Sequence, residues 1–141
     1  AMMKDFVKTH FNQDVSTEDF ALVVQKHMTP AMDLEENGKI DWFFRQWVEG
    51  VYLPEYSVEY TFEPNEKGQT RLRMKLSQAN VDETFRMPVP IYLQFKKGIM
   101  RLGVARMIGN MTSNEIVVDL PEKPERVVLN AYEDILCTLK Q

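Results

Sequence analysis

A change of hydrophobic period at Pro54 constrains this chain more than any other feature of it. Before Pro54 apolar residues recur at three- and four-residue intervals, and after it they alternate one for one with polar residues. The first pattern is that of an amphipathic helix and the second that of a half-buried strand, so the chain has to combine a helical segment with a mostly β segment.

The helical part reads as three short helices. Met3, Phe6, Val7, His10 and Phe11 form one apolar arc, with Lys4 and Lys8 facing away. Turn residues from Asn12 follow, and Ser16 or Thr17 can cap a second helix whose first turn carries Glu18 and Asp19. Phe20, Val23, Val24, His27 and Met28 make its apolar face, and Pro30 stops it. Between Pro30 and Lys39 an acidic stretch with Asp33, Glu35, Glu36, Asn37 and Gly38 then reads as a surface loop with room for one helical turn.

The third helix is aromatic. Asp41 can cap it or sit in its first turn, Gly50 can end it, and Ile40, Phe43, Phe44, Trp47, Val48 and Val51 share one face. Trp42 falls at roughly 200° from Ile40 on a helix turning about 100° per residue. Leu22 likewise lies opposite its helix's apolar face. On this reading Phe43, Phe44 and Trp47 are expected to pack between the helical segment and the strands, while Leu22, Trp42 and Arg45 are expected to face a neighbour outside the chain.

Beyond Pro54, Tyr56, Val58, Tyr60 and Phe62 alternate with polar residues. A turn at Pro64–Gly68 leads to Thr70, Leu72, Met74 and Leu76, which completes a hairpin. Val89, Ile91, Leu93 and Phe95 form a third strand, whose Pro88 and Pro90 imply that its start lies at an edge or enters the sheet late. Met100, Leu102 and Val104, then Ile116, Val118 and Leu120, then Val127 to Leu129, add further strands, and a short amphipathic helix is expected from Tyr132 to Leu139. The fold class is therefore α+β, with a helical segment over residues 1–52, an antiparallel β-sandwich of six to seven strands over residues 53–141, and a C-terminal helix.

Composition narrows the partners. The 141 residues are 44% apolar and 27% charged, enough for one domain or a pair of small lobes with a core. A net charge of −4 and a pI near 5.2 argue against nucleic acid, since phosphate binding needs clustered Lys and Arg. Arg71, Arg73 and Lys75 do share one strand face, which reads as a solvated sheet surface rather than an anion site. No apolar run approaches the roughly 18 residues of a membrane-spanning helix. Cys137 stands alone, which excludes an internal disulfide and a cysteine zinc cluster and leaves the compartment open. Ala1-Met2-Met3 reads as a cloning remnant ahead of the interior of a longer gene.

Catalytic constellations are hard to assemble. His10 and His27 lie on the apolar arcs of their helices and, with Asp5 or Asp19, make half a metal site, against which packing histidines are the simpler reading. Cys137 has no histidine nearby in sequence to act as its base. Glu35 with Glu36, and Glu18 with Asp19, read as loop solubility and helix capping rather than acid and base pairs. Tyr56, Tyr60 and Tyr92 can line a carbohydrate or peptide groove, with core and rim packing as the competing reading. No catalytic, cofactor-binding or metal residue is assigned.

The run Asp41-Trp-Phe-Phe-Arg-Gln-Trp-Val-Glu-Gly50, followed by Leu53-Pro54-Glu55-Tyr56 and an alternating strand, resembles a junction in the zinc aminopeptidases of the gluzincin type. There a Phe-Phe-x-Gln-Trp helix closes the catalytic domain and a β-sandwich domain follows. Ser16-Thr17-Glu18-Asp19-Phe20 resembles that family's entry to the preceding helix. Two departures stand out: three residues separate Gly50 from Pro54 where the family has Gly-x-Pro, and the acidic insert from Glu35 to Gly38 is longer than in the family.

The resemblance implies a noncatalytic C-terminal portion of a protein that removes N-terminal residues from peptides. Zinc, its ligands, the glutamate base and the substrate-amine motif would all lie upstream, so neither cofactor nor catalytic residue maps onto this chain. Its partner would be the upstream catalytic domain, with peptide substrate reached only through that domain, and apolar surface left bare would promote self-association. The alternative is an interaction or scaffold module, either from a zinc-less relative of that family or as an independent ligand-binding sandwich.

Overall fold

The computed structural model describes residues 1–140. The chain is mixed α+β and divides into two compact units, Ala1–Val51 and Tyr52–Gln141.

The first unit holds α1 (Met2–Thr9), α2 (Thr17–Lys26), a 3-10 turn at Pro30–Met32 and α3 (Asp41–Trp47). Ser16 caps α2: its hydroxyl accepts from the Asp19 amide at 3.2 Å, and the Asp19 carboxylate accepts from the Ser16 amide at 2.9 Å. This reciprocal pair satisfies two donors that the first helical turn leaves open. The core is small. Ile40, Trp42 and Phe44 are buried, and Phe20, Ala21, Val24, Met28 and Leu34 pack against them. Phe20 links the helices, edge-on to Phe6 of α1 at 5.1 Å and to Phe44 of α3 at 6.3 Å.

The face of α3 differs from the one its spacing predicts. Trp42 is only 6% exposed, whereas Phe43 is 41% exposed and Trp47 is half-buried. Two physical reasons account for this. Ile40 stands outside the helix as its N-cap, so the helix has only seven residues and no long stripe to present. It is also enclosed on more than one side, because the acidic segment folds back over it. Asp33 accepts from the amides of Asn37 and Gly38 at 3.1 and 3.0 Å, and Met32 offers its carbonyl to the Trp42 indole at 2.9 Å. The helix stops at Trp47, ahead of Gly50. Gly50 is nonetheless required where it stands, since a Cβ there would lie 2.4 Å from the Gln46 carbonyl oxygen.

The second unit is sandwich-like, with two sheets. β1 (Glu55–Pro64) and β2 (Thr70–Ala79) pair antiparallel without a register shift from Glu55↔Ala79 to Pro64↔Thr70. The Asn65 side chain shapes their turn by accepting from the amides of Lys67 and Gln69. β5 (Met111–Thr112) and β6 (Ile116–Leu120) lie along the other side of β2, and β8 (Thr138–Leu139) runs parallel to the start of β1. The second sheet has the order β4 (Gly98–Ile108), β3 (Arg86–Phe95), β7 (Arg126–Leu129).

Alternate side chains of the two sheets meet in the core, where Leu72, Met74, Leu76, Val89, Ile91, Leu93, Met107, Val127 and Leu129 are buried. β1 contributes less than its alternation predicts. Only Tyr56 of that strand is buried, because β8 covers β1 at Glu55 and Tyr56 and leaves the remainder at an edge. Pro88 and Pro90 sit on a strand that is central by order, yet β7 pairs only with Ile91 to Gln94. The proline part of β3 is thus bonded on one side, where a missing N–H costs no ladder bond.

No C-terminal helix forms among the described residues. Asn130 and Glu133 adopt positive φ values of 51° and 56°, and the Asn130 side chain closes a turn by donating to the Ile135 carbonyl and accepting from its amide. The chain then extends so that the amides of Thr138 and Lys140 bond the carbonyls of Pro54 and Tyr56, both at 2.9 Å. Left-handed residues interrupt a helix at once, and a strand edge was free to receive what followed.

Candidate functional site

The residues singled out for a neighbour outside the chain do not form one surface. Leu22 is 60% exposed on α2. Arg45 is exposed and bonded to Glu35 of the folded-back loop. Trp42, in contrast, is enclosed within the helical unit, so its expected outward role is corrected: the segment around Met32 supplies the second neighbour that its position demanded. Phe44 also packs inside this unit, against Phe20.

A further exposed apolar feature is on α1, which the periodicity marks only as an amphipathic helix. Met3, Val7 and Phe11 line an open cradle flanked by Lys4 and Lys8, and Phe11 is 72% exposed. None of the residues of α1 is buried. Phe6 anchors it inward, on Phe20. Leu22, 60% exposed on α2, adds to the apolar surface that the helical unit leaves open.

The histidines occupy the same part of the structure. His27 Nε2 lies 2.9 Å from Asp5 Oδ2, joining the end of α2 to α1, while the His10 ring tilts against Phe6 at 5.2 Å. The bond from His27 holds the Asp5 carboxyl below its ordinary value, with help from the Thr9 hydroxyl. Among the described residues no three His, Cys, Asp or Glu side chains gather as a metal would need. The Asp5–His27 pair acts as a clasp between helices.

In the sandwich, Tyr56 donates to Gln78 Oε1 at 2.7 Å, and Gln78 donates in turn to the Gly109 carbonyl at 2.8 Å. Burial pushes the Tyr56 phenol well above its ordinary range, so it stays neutral and serves as a donor. Tyr92 lies edge-on to Tyr132 at 5.2 Å and is buried, which makes it a packing residue, whereas Tyr60 sits at the exposed edge of β1. Cys137 is half-buried, and burial raises its thiol against a smaller opposing effect of the Asn130 amide. A thiol so placed is a poor nucleophile at neutral pH. Arg71 is forked onto Asp119 at 2.8 and 3.1 Å, and Arg73 bonds both Glu63 and Glu115. These cations are neutralised across the sheet face and leave no anion site there. No helix is long and apolar enough to cross a membrane among the described residues.

The chain matches no protein-family model and no curated protein.

Proposed function

We propose that this chain is a noncatalytic, C-terminal portion of a zinc aminopeptidase-like protein, in which it supports an upstream metallopeptidase domain that removes N-terminal residues from peptides. The observation that carries the reading is the incomplete core of the helical unit. Val23, Ile40, Trp42 and Phe44 are its only buried large apolar side chains among the described residues, while Met3, Val7, Phe11 and Leu22 lie bare. Helices that close a larger helical domain have this character, since their second apolar side belongs to the layer before them. The order of a helical unit, the Phe43-Phe44-Arg45-Gln46-Trp47 helix, Pro54 and a two-sheet body supports the same reading. Chemistry would then rest with zinc held by the upstream domain, acting as a Lewis acid on the scissile carbonyl.

The coding sequence ahead of Met3 tests this. A His-Glu-x-x-His motif with a further Glu downstream, within the preceding few hundred residues, is the expected result. A preceding region without it contradicts the proposal and assigns the chain to the scaffold class.

A further inference from the structure

We propose that the free edge of β4 binds an extended acidic peptide segment of another protein, which joins the second sheet as an added strand. This goes beyond the reading above and does not depend on it.

Three observations carry the inference. β4 has 11 residues, pairs only with β3 among the described residues, and ends its sheet, so no strand takes up the main-chain donors and acceptors along its other side. Only the Ile108 amide there, at the end of the strand, is bonded, to Met111 Sδ at 3.3 Å. Such an edge is a template for one more strand. Second, the charge around it is opposite to that of the chain. From Thr84 to Asn114 there are five of the 17 basic residues and none of the 21 acidic ones. Third, Arg101 and Arg106 have no ion-pair partner among the described residues, in contrast to Arg45, Arg71 and Arg73.

Register makes the recognition specific. Arg101, Val104, Arg106 and Ile108 stand opposite Tyr92, Pro90, Pro88 and Arg86, successive even steps of β3. The shift in register between Ile91 and Tyr92 absorbs the odd residue, so the four side chains fall on one face in the order cation, apolar, cation, apolar. All four are exposed, Val104 at 44% and Ile108 at 46%. A strand laid beside them is matched when it carries acidic residues four positions apart, with apolar residues midway. The same arginines disfavour a second copy as occupant, because β4 paired with β4 would gather four guanidinium groups on one face. They block the edge against itself and leave it open to a partner of opposite charge.

The test uses a labelled peptide, Thr-Val-Thr-Glu-Thr-Val-Thr-Glu-Thr, titrated into the intact chain at low salt with amide chemical shifts as readout. Saturable binding below about 1 mM is expected, with shifts confined to residues 98–108. Binding should weaken about tenfold in R101E/R106E and for a peptide of the same composition with adjacent glutamates. N-methylation of alternate peptide amides should abolish it. Equal binding of the scrambled or N-methylated peptide, or no binding at about 1 mM, overturns the proposal. So does concentration-dependent self-association of the free chain through residues 98–108, which makes a second copy the occupant. The peptide controls on the unaltered chain decide the matter even where R101E/R106E fails to fold.

Discussion

The indole of Trp42 donates to the carbonyl of Met32 at 2.9 Å, and this bond explains why α3 turns a face inward that its periodicity assigns outward. Replacing Trp42 by Phe keeps most of the ring and leaves that carbonyl without its donor, at a cost of about 1 kcal/mol. Trp42→Ala also opens a cavity and should cost about 3–5 kcal/mol, enough to melt a unit with so small a core. Phe43→Ala, on the exposed side, should cost less than about 1 kcal/mol. Helical circular dichroism during urea unfolding ranks the three, and the reverse order for Trp42 and Phe43 would restore the outward face.

Acid should loosen the helical unit. Asp5 and Asp19 are held below the ordinary carboxylate value, the first chiefly by the bond to His27 and the second by the bonds to Ser16. A depressed value in the folded state means stability that is present above the ordinary pKa of about 3.9 and lost as pH falls through the lower, folded value. Asp5→Asn and Asp19→Asn should therefore be less stable than the native chain at neutral pH and converge with it toward pH 2. A gap that persists in acid would show that these carboxylates act through packing.

Much of the architecture is legible in the sequence because it rests on local rules. Ser16 and Asp19 spell a capping box, and Tyr56 to Leu76 alternate in a register that one turn fixes. What is not legible comes from contacts distant in the chain. The loop that covers Trp42 carries no apolar stripe, since Asp33 organises it through backbone amides. The Tyr132 to Leu139 segment has helical spacing, yet Asn130 turns it into a strand beside β1, and asparagine's tolerance of positive φ is not a periodic signal. The β4 edge is invisible to strand counting. It follows from the absence of acidic residues over the β3–β4 hairpin once the pairing is known.

Gly109 should resist substitution. It has φ 61°, and a Cβ would approach the Glu83 carbonyl oxygen to 2.8 Å. Its amide bonds the Phe85 carbonyl at 2.7 Å and its own carbonyl receives Gln78, so the backbone has little room to yield. Gly109→Ala is expected to lower stability by about 2 kcal/mol or more, read as a drop in the thermal midpoint. A change under about 0.5 kcal/mol would mean that the turn relaxes freely.

The buried Tyr56–Gln78 pair should behave as a unit. Tyr56→Phe leaves Gln78 Oε1 without a donor and should cost about 1–3 kcal/mol, while Tyr56→Phe combined with Gln78→Met should cost less than the sum of the single changes. Denaturant unfolding of the four proteins in the cycle measures the coupling. Strict additivity would place the cost in packing alone.

Zinc content of the purified chain tests the central proposal most directly. With catalysis and its metal assigned to an upstream domain, extensive dialysis should leave substoichiometric zinc and no hydrolysis of aminoacyl anilide substrates. One tightly held zinc per chain, with release of the N-terminal residue, would contradict a noncatalytic supporting role.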